Sequence, residues 1–227
     1  MTATRRGSKL RLVLGLMVAL LAGAAGLLPV AAGPFDLGVE YVADGKFGSG
    51  DKARDGRLWR TRYALRQETP QGRGVQIIIA RLDRNLAWIL VPGVKVALET
   101  DLAALDLPLG ALTDGRGLRQ SPRGSETIAG VATTRYWVET VDGPGAPPGA
   151  AFAGDVWTSP DGVLMKIDGR SNYKGRASTV RASFHNIRVG PQDPALFQLP
   201  QGYNRMQVPA EDLQAMIESF QRFRLPR

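Results

Sequence analysis

The sequence has no cysteine and a single histidine, His185, among its 227 residues. Without thiols the chain can form no disulfide, no thiolate metal site and no cysteine nucleophile. It also has no G-x-S-x-G motif, so no serine stands out as the nucleophile of a hydrolase. These absences predict that the protein is not an enzyme and uses no cofactor. His185, beside Asn186, is expected to be a half-exposed strand residue.

Carboxylates are scattered and nowhere show the spacing of a metal site. The pairs that come nearest to calcium ligands are Asp44 with Asp51 and Asp161 with Asp168. Their glycine and proline neighbours favour a role in turns, where short carboxylates bond to nearby backbone. The sequence therefore predicts no metal.

Charged residues are missing from residues 12–34, and four basic residues precede this run: Arg5, Arg6, Lys9 and Arg11. The run ends in the small residues Val30-Ala31-Ala32-Gly33. This layout is typical of a secretory signal peptide, residues 1–32, cleaved after Ala32. Because the run approaches the roughly 20 residues that span a bilayer, an uncleaved membrane anchor is the alternative. Both interpretations predict export to the periplasm.

The basic excess is small once the leader is set aside. Removing residues 1–32 takes four positive and no negative charges from the net +8 and leaves +4. The remaining basic residues are dispersed. Only Trp59 and Tyr63 offer aromatic rings near several arginines, which are Arg54, Arg57, Arg60, Arg62 and Arg66. A nucleic-acid surface needs clustered charge with stacking aromatics. We therefore predict a solvated strand face and no nucleic-acid partner.

The stretch 75–99 predicts three successive antiparallel strands. It contains a β-branched run at residues 75–79, and turn-forming residues at 82–85 and at Pro92-Gly93 separate the strands. An antiparallel sheet with one wet face would alternate apolar and polar residues. Both alternating sets are apolar here, so the sequence predicts a sheet that is covered on both faces.

The remaining pattern is also rich in strands and has no repeat or linker, which predicts one domain over residues 33–227. A short helix is expected after Asp101, a mobile loop over 114–125, a surface loop over 143–151, and a helix after Pro209 with apolar residues at helical spacing. Further strands are predicted over 39–47, 56–68, 131–141, 153–158, 163–168 and 177–189. The turn residues Ser159-Pro160-Asp161-Gly162 predict that the strands over 153–158 and 163–168 form a hairpin.

The size of the sheet bears on function. Eight or nine strands about 4.8 Å apart make a sheet about 40 Å across, whereas one helix covers about 10 Å. Two helices cannot cover such a face, so either the sheet curls on itself or part of its inner face receives an apolar ligand. The apolar residues of the inner face would then line a cavity for that ligand, or alternatively would form an ordinary packed core. The candidate cavity residues are Ile77, Ile79, Trp88, Leu90, Val96, Leu98, Tyr136, Val138, Leu164, Met216 and Phe220.

Several motifs resemble the DUF4412 family. They are Val75-Gln76-Ile77-Ile78-Ile79, the turn Leu82-Asp83-Arg84-Asn85, Trp88 with Pro92 and Lys95, Glu126–Gly130 before Arg135-Tyr136, and the tail Asn186–Gly190 followed by Pro194, Phe197, Pro200, Gly202 and Tyr203. The resemblance implies membership of the LolA-like, outer-membrane lipoprotein-sorting-like superfamily. It also implies a mainly β fold, a strongly curved antiparallel half-barrel with helices on its concave side around an apolar cavity.

The same resemblance implies a function in the Gram-negative envelope. Carrier members hold acyl chains of lipoproteins, and sensor members such as RseB recognise other molecules. We therefore expect a non-enzymatic periplasmic protein that binds a lipid or a lipoprotein acyl chain. The alternative is an RseB-like interaction or sensor module that engages an envelope protein through its sheet edge or concave face. Phe197 and Tyr203 are expected to be core residues rather than ligand contacts.

Overall fold

The computed structural model describes residues 39–49, 52–71, 74–101, 118–141, 150–173 and 176–222. Its strands form one sheet of 12 strands, and one α-helix, α1 (Ala210–Arg222), follows the last strand. The strands are β1 (Tyr41–Ser49), β2 (Lys52–Arg60), β3 (Ala64–Gln71), β4 (Gly74–Arg81), β5 (Leu86–Val91), β6 (Val96–Asp101), β7 (Leu118–Ile128), β8 (Val131–Thr140), β9 (Ala150–Thr158), β10 (Leu164–Tyr173), β11 (Arg176–Val189) and β12 (Asn204–Gln207). Their order across the sheet is β12-β6-β5-β4-β3-β2-β1-β11-β10-β9-β8-β7.

The predicted three-strand unit is confirmed as β4, β5 and β6. Each of its two turns is a single 3-10 turn, Leu82–Arg84 and Pro92–Val94, followed by one residue in the left-handed region. Asn85 and Lys95 both have φ of 51°. Asparagine adopts this conformation readily, but lysine does so rarely. The third strand consequently begins at Val96, two residues later than expected.

The single strand predicted over 56–68 is wrong, because the chain turns at residues 61–63 and forms β2 and β3. Thr61 makes the turn: its hydroxyl accepts hydrogen bonds from the amides of Tyr63 at 3.3 Å and Ala64 at 3.1 Å. Its own amide donates to the carbonyl of Ala64 at 2.9 Å. Residues 61–63 include no glycine, proline or asparagine, so this turn had no strong signal in the sequence.

The loop predicted over 114–125 is wrong from residue 118 onward, where β7 begins. β7 is the last strand at one edge of the sheet, and its side chains from Arg119 to Thr127 are exposed. Pairing with β8 through a two-residue turn at Ala129 and Gly130, both with positive φ, holds it in place. A strand with neither face buried has no apolar alternation to reveal it.

At β4, β5 and β6 the sheet buries both of its faces, as predicted for residues 75–99, and alternation along these strands separates two apolar clusters. We call the face that carries α1 the inner face and the opposite one the outer face. Ile78 and Ile89 lie opposite each other on the inner face, and their neighbours Ile79 and Trp88 lie opposite each other on the outer face.

The predicted half-barrel is confirmed: the sheet is open, strongly curled and antiparallel except for the parallel pair of β12 with β6. Nine strand spacings of about 4.8 Å separate β6 from β8, so a flat sheet would hold them about 43 Å apart. The cluster of buried inner residues nevertheless extends from Leu98 of β6 to Val138 of β8. α1 has 13 residues and covers only about 10 Å in width, so much of this burial requires curvature.

Glycines allow phenylalanine rings to lie against the strand backbone in the inner cluster. A Cβ at Gly45 would lie 2.8 Å from the Phe184 ring, and one at Gly169 would lie 2.7 Å from the Phe152 ring. Phe184 also makes an edge-to-face contact with Phe47, with ring centroids 5.5 Å apart. These strand glycines therefore serve close packing.

Two sequence predictions fall outside the described residues, the leader 1–32 and the mid-chain helix after Asp101. The surface loop predicted over 143–151 also lies outside them as far as residue 149, and it is wrong at Ala150 and Ala151, which belong to β9. The predicted hairpin around residues 159–162 is confirmed between β9 and β10, and the predicted last helix is confirmed as α1. Within the described part, no helix has the length and apolar character needed to cross a membrane.

Candidate functional site

The structure divides the eleven candidate cavity residues between the two faces. Seven lie in the inner cluster or pack against it: Val96, Leu98, Tyr136, Val138, Leu164, Met216 and Phe220. Four lie in the outer cluster or pack against it: Ile77, Ile79, Trp88 and Leu90. The eleven therefore do not form one surface. That the inner seven line a cavity for a ligand stays a prediction.

The outer four are covered by the chain itself. After β11 the segment of residues 190–203, which we call the outer strap, crosses the outer face to reach β12. Phe197 of the strap is 3% exposed in the outer cluster, which confirms that it is a core residue. Arg66 donates to the carbonyl of Leu196 at 3.0 Å and Arg81 to that of Phe197 at 3.3 Å. The strap is thus held by packing and by two arginines.

The inner face has a different character, because polar side chains are buried within it. The strand register aligns one residue from each of six neighbouring strands in a single row. We call this the Arg60 row, and its members from β1 to β6 are Tyr41, Arg60, Leu65, Ala80, Ala87 and Thr100. All six are buried, and Tyr41 and Arg60 are 0% and 1% exposed.

Buried polar atoms on this face have no hydrogen-bond partner among the described residues. In the Arg60 row they are the Tyr41 hydroxyl, Nε and Nη2 of Arg60, and the Thr100 hydroxyl. The side-chain carbonyls of Gln67 and Gln76, on β3 and β4, are unpaired too, although the Gln67 amide donates to Thr69 at 3.1 Å. Three other buried atoms of the described residues also lack partners, Nε of Arg135, Oδ1 of Asp155 and Nε1 of Trp157, and they lie on β8 and β9. Buried polar groups are nearly always hydrogen-bonded in proteins, so the concentration of the other six on β1–β6 marks the inner face as the candidate site.

Charge is segregated between the two faces. On the outer side Arg57 donates to Asp44 at 2.6 Å, and Arg66 donates to Glu68 at 2.6 Å. The hydrogen bond from Arg57 lowers the pKa of Asp44, with help from the amide of Asn186 and the charges of Arg57 and His185, while partial burial opposes the shift. The carboxylates of these strands therefore find their partners away from Arg60.

α1 lies on the inner face at the β6 end of the sheet. Leu213 and Ile217 are buried in the inner cluster, and Met216 and Phe220 are partly buried against it. The amide of Val208 bonds to the carbonyl of Glu99 at 2.9 Å and positions the start of the helix. The helix thus forms an apolar wall at the Thr100 end of the Arg60 row.

A concavity opens on the outer face. It has a volume of about 380 Å³ and is lined by Val42, Asp44, Arg57, Asn186, Ile187 and Arg188. It forms where β11 bulges opposite β1, with Asn186 in the left-handed region at φ of 50°. Asp44 and Arg57 in its lining already pair with each other, and its other charged residue, Arg188, is exposed to solvent.

His185 lies exposed on β11, opposite Asp44. In the part of the chain that the structure describes, no three histidine, aspartate or glutamate side chains gather in a way that could hold a metal ion. Asp44 and Asp168 each pair with an arginine, Arg57 and Arg181. The predictions of no metal, no cofactor and no enzymatic activity stay predictions.

Sequence reasoning missed Arg60, which it assigned to a solvated face. A signal was present, because Arg60 follows Leu58 by two residues and therefore shares its face. Leu58 is 0% exposed on the inner face. Tyr41 and Thr100 gave no such signal, since single polar residues near strand ends are common on both faces.

Comparisons with known proteins bear on the fold. No protein-family model matches the sequence and no curated protein matches it, so DUF4412 membership stays a prediction. An uncharacterised conserved protein from Thermus thermophilus superposes with a TM-score of 0.47 and 9% identity, over 76% of this chain and 92% of that one.

Other similar structures include MucB and a LolA superfamily protein. MucB gives a TM-score of 0.44 and 13% identity, over 73% of this chain and 59% of MucB, and Pseudomonas aeruginosa MucB is also known in complex with MucA. The LolA superfamily protein NE2245 from Nitrosomonas europaea gives a TM-score of 0.37 and 8% identity, over 72% of this chain and 91% of NE2245. At these TM-scores and identities the likenesses assign no family, ligand or partner to this chain.

Proposed function

We propose that the protein is an exported, non-enzymatic binding protein that holds the apolar part of a lipid against the inner face of its half-barrel. It acts in the periplasm, either free or tethered through residues 1–32. The inner seven candidate residues, with Ile78 and Ile89 of the same face, would contact the ligand. An acyl chain gains about 0.8 kcal/mol for each methylene it buries, so partial insertion suffices for binding.

One observation carries this proposal: the inner face combines an apolar cluster that extends from β6 to β8 with buried polar atoms that lack partners. A core that only served stability would be expected to pair or exclude such atoms. Both features are understandable if an amphipathic molecule occupies the face. The outer face of β3–β6 offers the contrast, because the strap covers it and Trp88 donates to Glu99 at 2.6 Å.

Native mass spectrometry of the protein purified from its own periplasm tests the proposal. The expected result is a fraction of the protein carrying a lipid-sized mass, which organic extraction removes and which is then identified as a lipid. A protein that carries no such mass, and that takes none up from added lipid, would overturn the proposal.

A second function, docking of an envelope protein, is favoured by the edge strand β7. Among the described strands it pairs only with β8, so its other edge has backbone groups for an added strand. Pro122 and the irregularity between Pro122 and Gly124 restrict such pairing to part of the strand. The same mass spectra would then show a stoichiometric protein partner, and substitution of Thr127 by proline should abolish that complex while leaving lipid uptake intact.

A further inference from the structure

We propose that the ligand carries an anionic head group, a carboxylate or a phosphate, and that Arg60 binds this group on the inner face. The inference rests on the proposed function and names the chemical class of its ligand. Arg60 is 1% exposed and lies directly opposite Tyr41 in the strand register. A guanidinium is always charged, and an unpaired charge in an apolar interior is strongly unfavourable. Arg60 therefore needs an anionic partner.

The described groups around Arg60 do not meet that need. The Tyr41 ring lies 6.0 Å from the guanidinium carbon, at the limit of a cation–π contact, and this contact leaves the N–H donors free. Nε and Nη2 of Arg60 and the hydroxyl of Tyr41 have no hydrogen-bond partner among the described residues. Two guanidinium donors beside a hydroxyl form a set of donors that suits the oxygens of a carboxylate or a phosphate.

No carboxylate of the neighbouring strands faces Arg60. On β1, β2 and β3 the acids are Asp44, Asp55 and Glu68, and all three alternate onto the outer face. β4 and β5 contain no acid. On β6, Glu99 also lies outward and accepts from Trp88. The other acid of β6, Asp101, is paired in register with Leu86 and so alternates with Thr100 of the Arg60 row. An anion that pairs with Arg60 is therefore not supplied by these strands.

The Arg60 row also has a run of small side chains along which a chain attached to that anion would lie. Beyond Leu65 the row continues with Ala80 and Ala87. The adjacent row contributes the apolar residues Ile78, Ile89 and Leu98. A head group at Arg60 would direct its chain along these alanines towards α1.

This arrangement selects among lipids. An acyl chain held in an ester or amide linkage, as on a lipoprotein, has no charge of its own and would leave Arg60 unpaired. A free fatty acid or the phosphate of a phospholipid supplies the missing anion. Arg60 and Tyr41 thus favour an anionic lipid over a lipoprotein acyl chain.

The test compares three amphiphiles of equal chain length, dodecanoate, dodecyl phosphate and dodecanol, added below their micelle concentrations to delipidated full-length exported protein. Binding is measured by calorimetry on the wild type, Arg60→Met, Arg60→Lys and, as a matched exposed control, Arg57→Met. A charge-assisted hydrogen bond lost at Arg60 corresponds to about a tenfold or greater loss of affinity. The two anions distinguish a carboxylate site from a phosphate site.

The expected result is that at least one anion binds wild-type protein about tenfold or more tightly than dodecanol does. Arg60→Met should remove that preference and leave dodecanol binding unchanged, Arg60→Lys should retain part of it, and Arg57→Met should behave as wild type. Equal binding of all three amphiphiles by the wild type would overturn the anionic head group and leave the proposed function standing. If none of them binds, the proposed function fails as well.

Discussion

Replacement of Arg60 by methionine should stabilise the lipid-free protein. Two of its guanidinium nitrogens are buried without partners, and a buried donor without a partner costs about 1–3 kcal/mol. Methionine has a similar length, no donors and enough flexibility to fill the same space. Replacing even a buried ion pair by apolar residues of similar volume is often neutral or stabilising by about 1–4 kcal/mol, and an unpaired charge has no partner to lose. We therefore expect the free energy of unfolding to rise by about 1–3 kcal/mol.

Urea unfolding of delipidated protein, followed by tryptophan fluorescence, measures this change. The exposed control Arg57→Met removes the pair with Asp44, whose side chains are 47% and 29% exposed, and should lower stability by no more than about 1 kcal/mol. The reasoning would be refuted if Arg60→Met lost stability by about 3 kcal/mol or more. Such a loss is typical of breaking a buried ion pair and would mean that Arg60 has a partner within the protein.

Three further predictions concern the frame around the site. Phe197→Ala in the outer strap should lower the free energy of unfolding by about 3 kcal/mol and Phe197→Leu by about 1 kcal/mol in urea titrations. Gly169→Ala should cost about 2 kcal/mol or more because its Cβ would meet the Phe152 ring, whereas Gly93→Ala, which has open space, should cost under about 0.5 kcal/mol. Hydrogen bonding by Arg81 lowers the pKa of Asp83, so the pair stabilises the fold at neutral pH and is lost as pH falls below about 4. Asp83→Asn should therefore cost about 0.5 kcal/mol at pH 7 and nothing at about pH 2, and an equal deficit at both pH values would contradict the assignment.

The central strands could be predicted because three independent signals agree there. β4, β5 and β6 have β-branched residues, turn residues between them and apolar side chains on both faces. Local preference and tertiary packing then point to the same structure. The same agreement explains why the last helix and the hairpin between β9 and β10 were predictable.

The errors arose where non-local contacts decide the structure. β7 is held by backbone pairing with β8, and its polar sequence resembles a loop. The parallel pairing of β12 with β6 depends on the strap crossing the outer face. Periodicity also places Ile79 and Trp88 on one face without showing which face receives the helix. The four outer candidate residues were grouped with the inner seven for this reason.

Photo-crosslinking with a fatty acid that carries a diazirine near the end of its chain tests the central claim most directly. The labelled full-length protein is digested, and the modified residues are identified by mass spectrometry. The account predicts labels on inner-face residues such as Ile78, Ile89 and Leu98 that excess unlabelled fatty acid removes. Labels confined to the outer face, for example at Trp59, or labelling that excess fatty acid leaves unchanged, would contradict it.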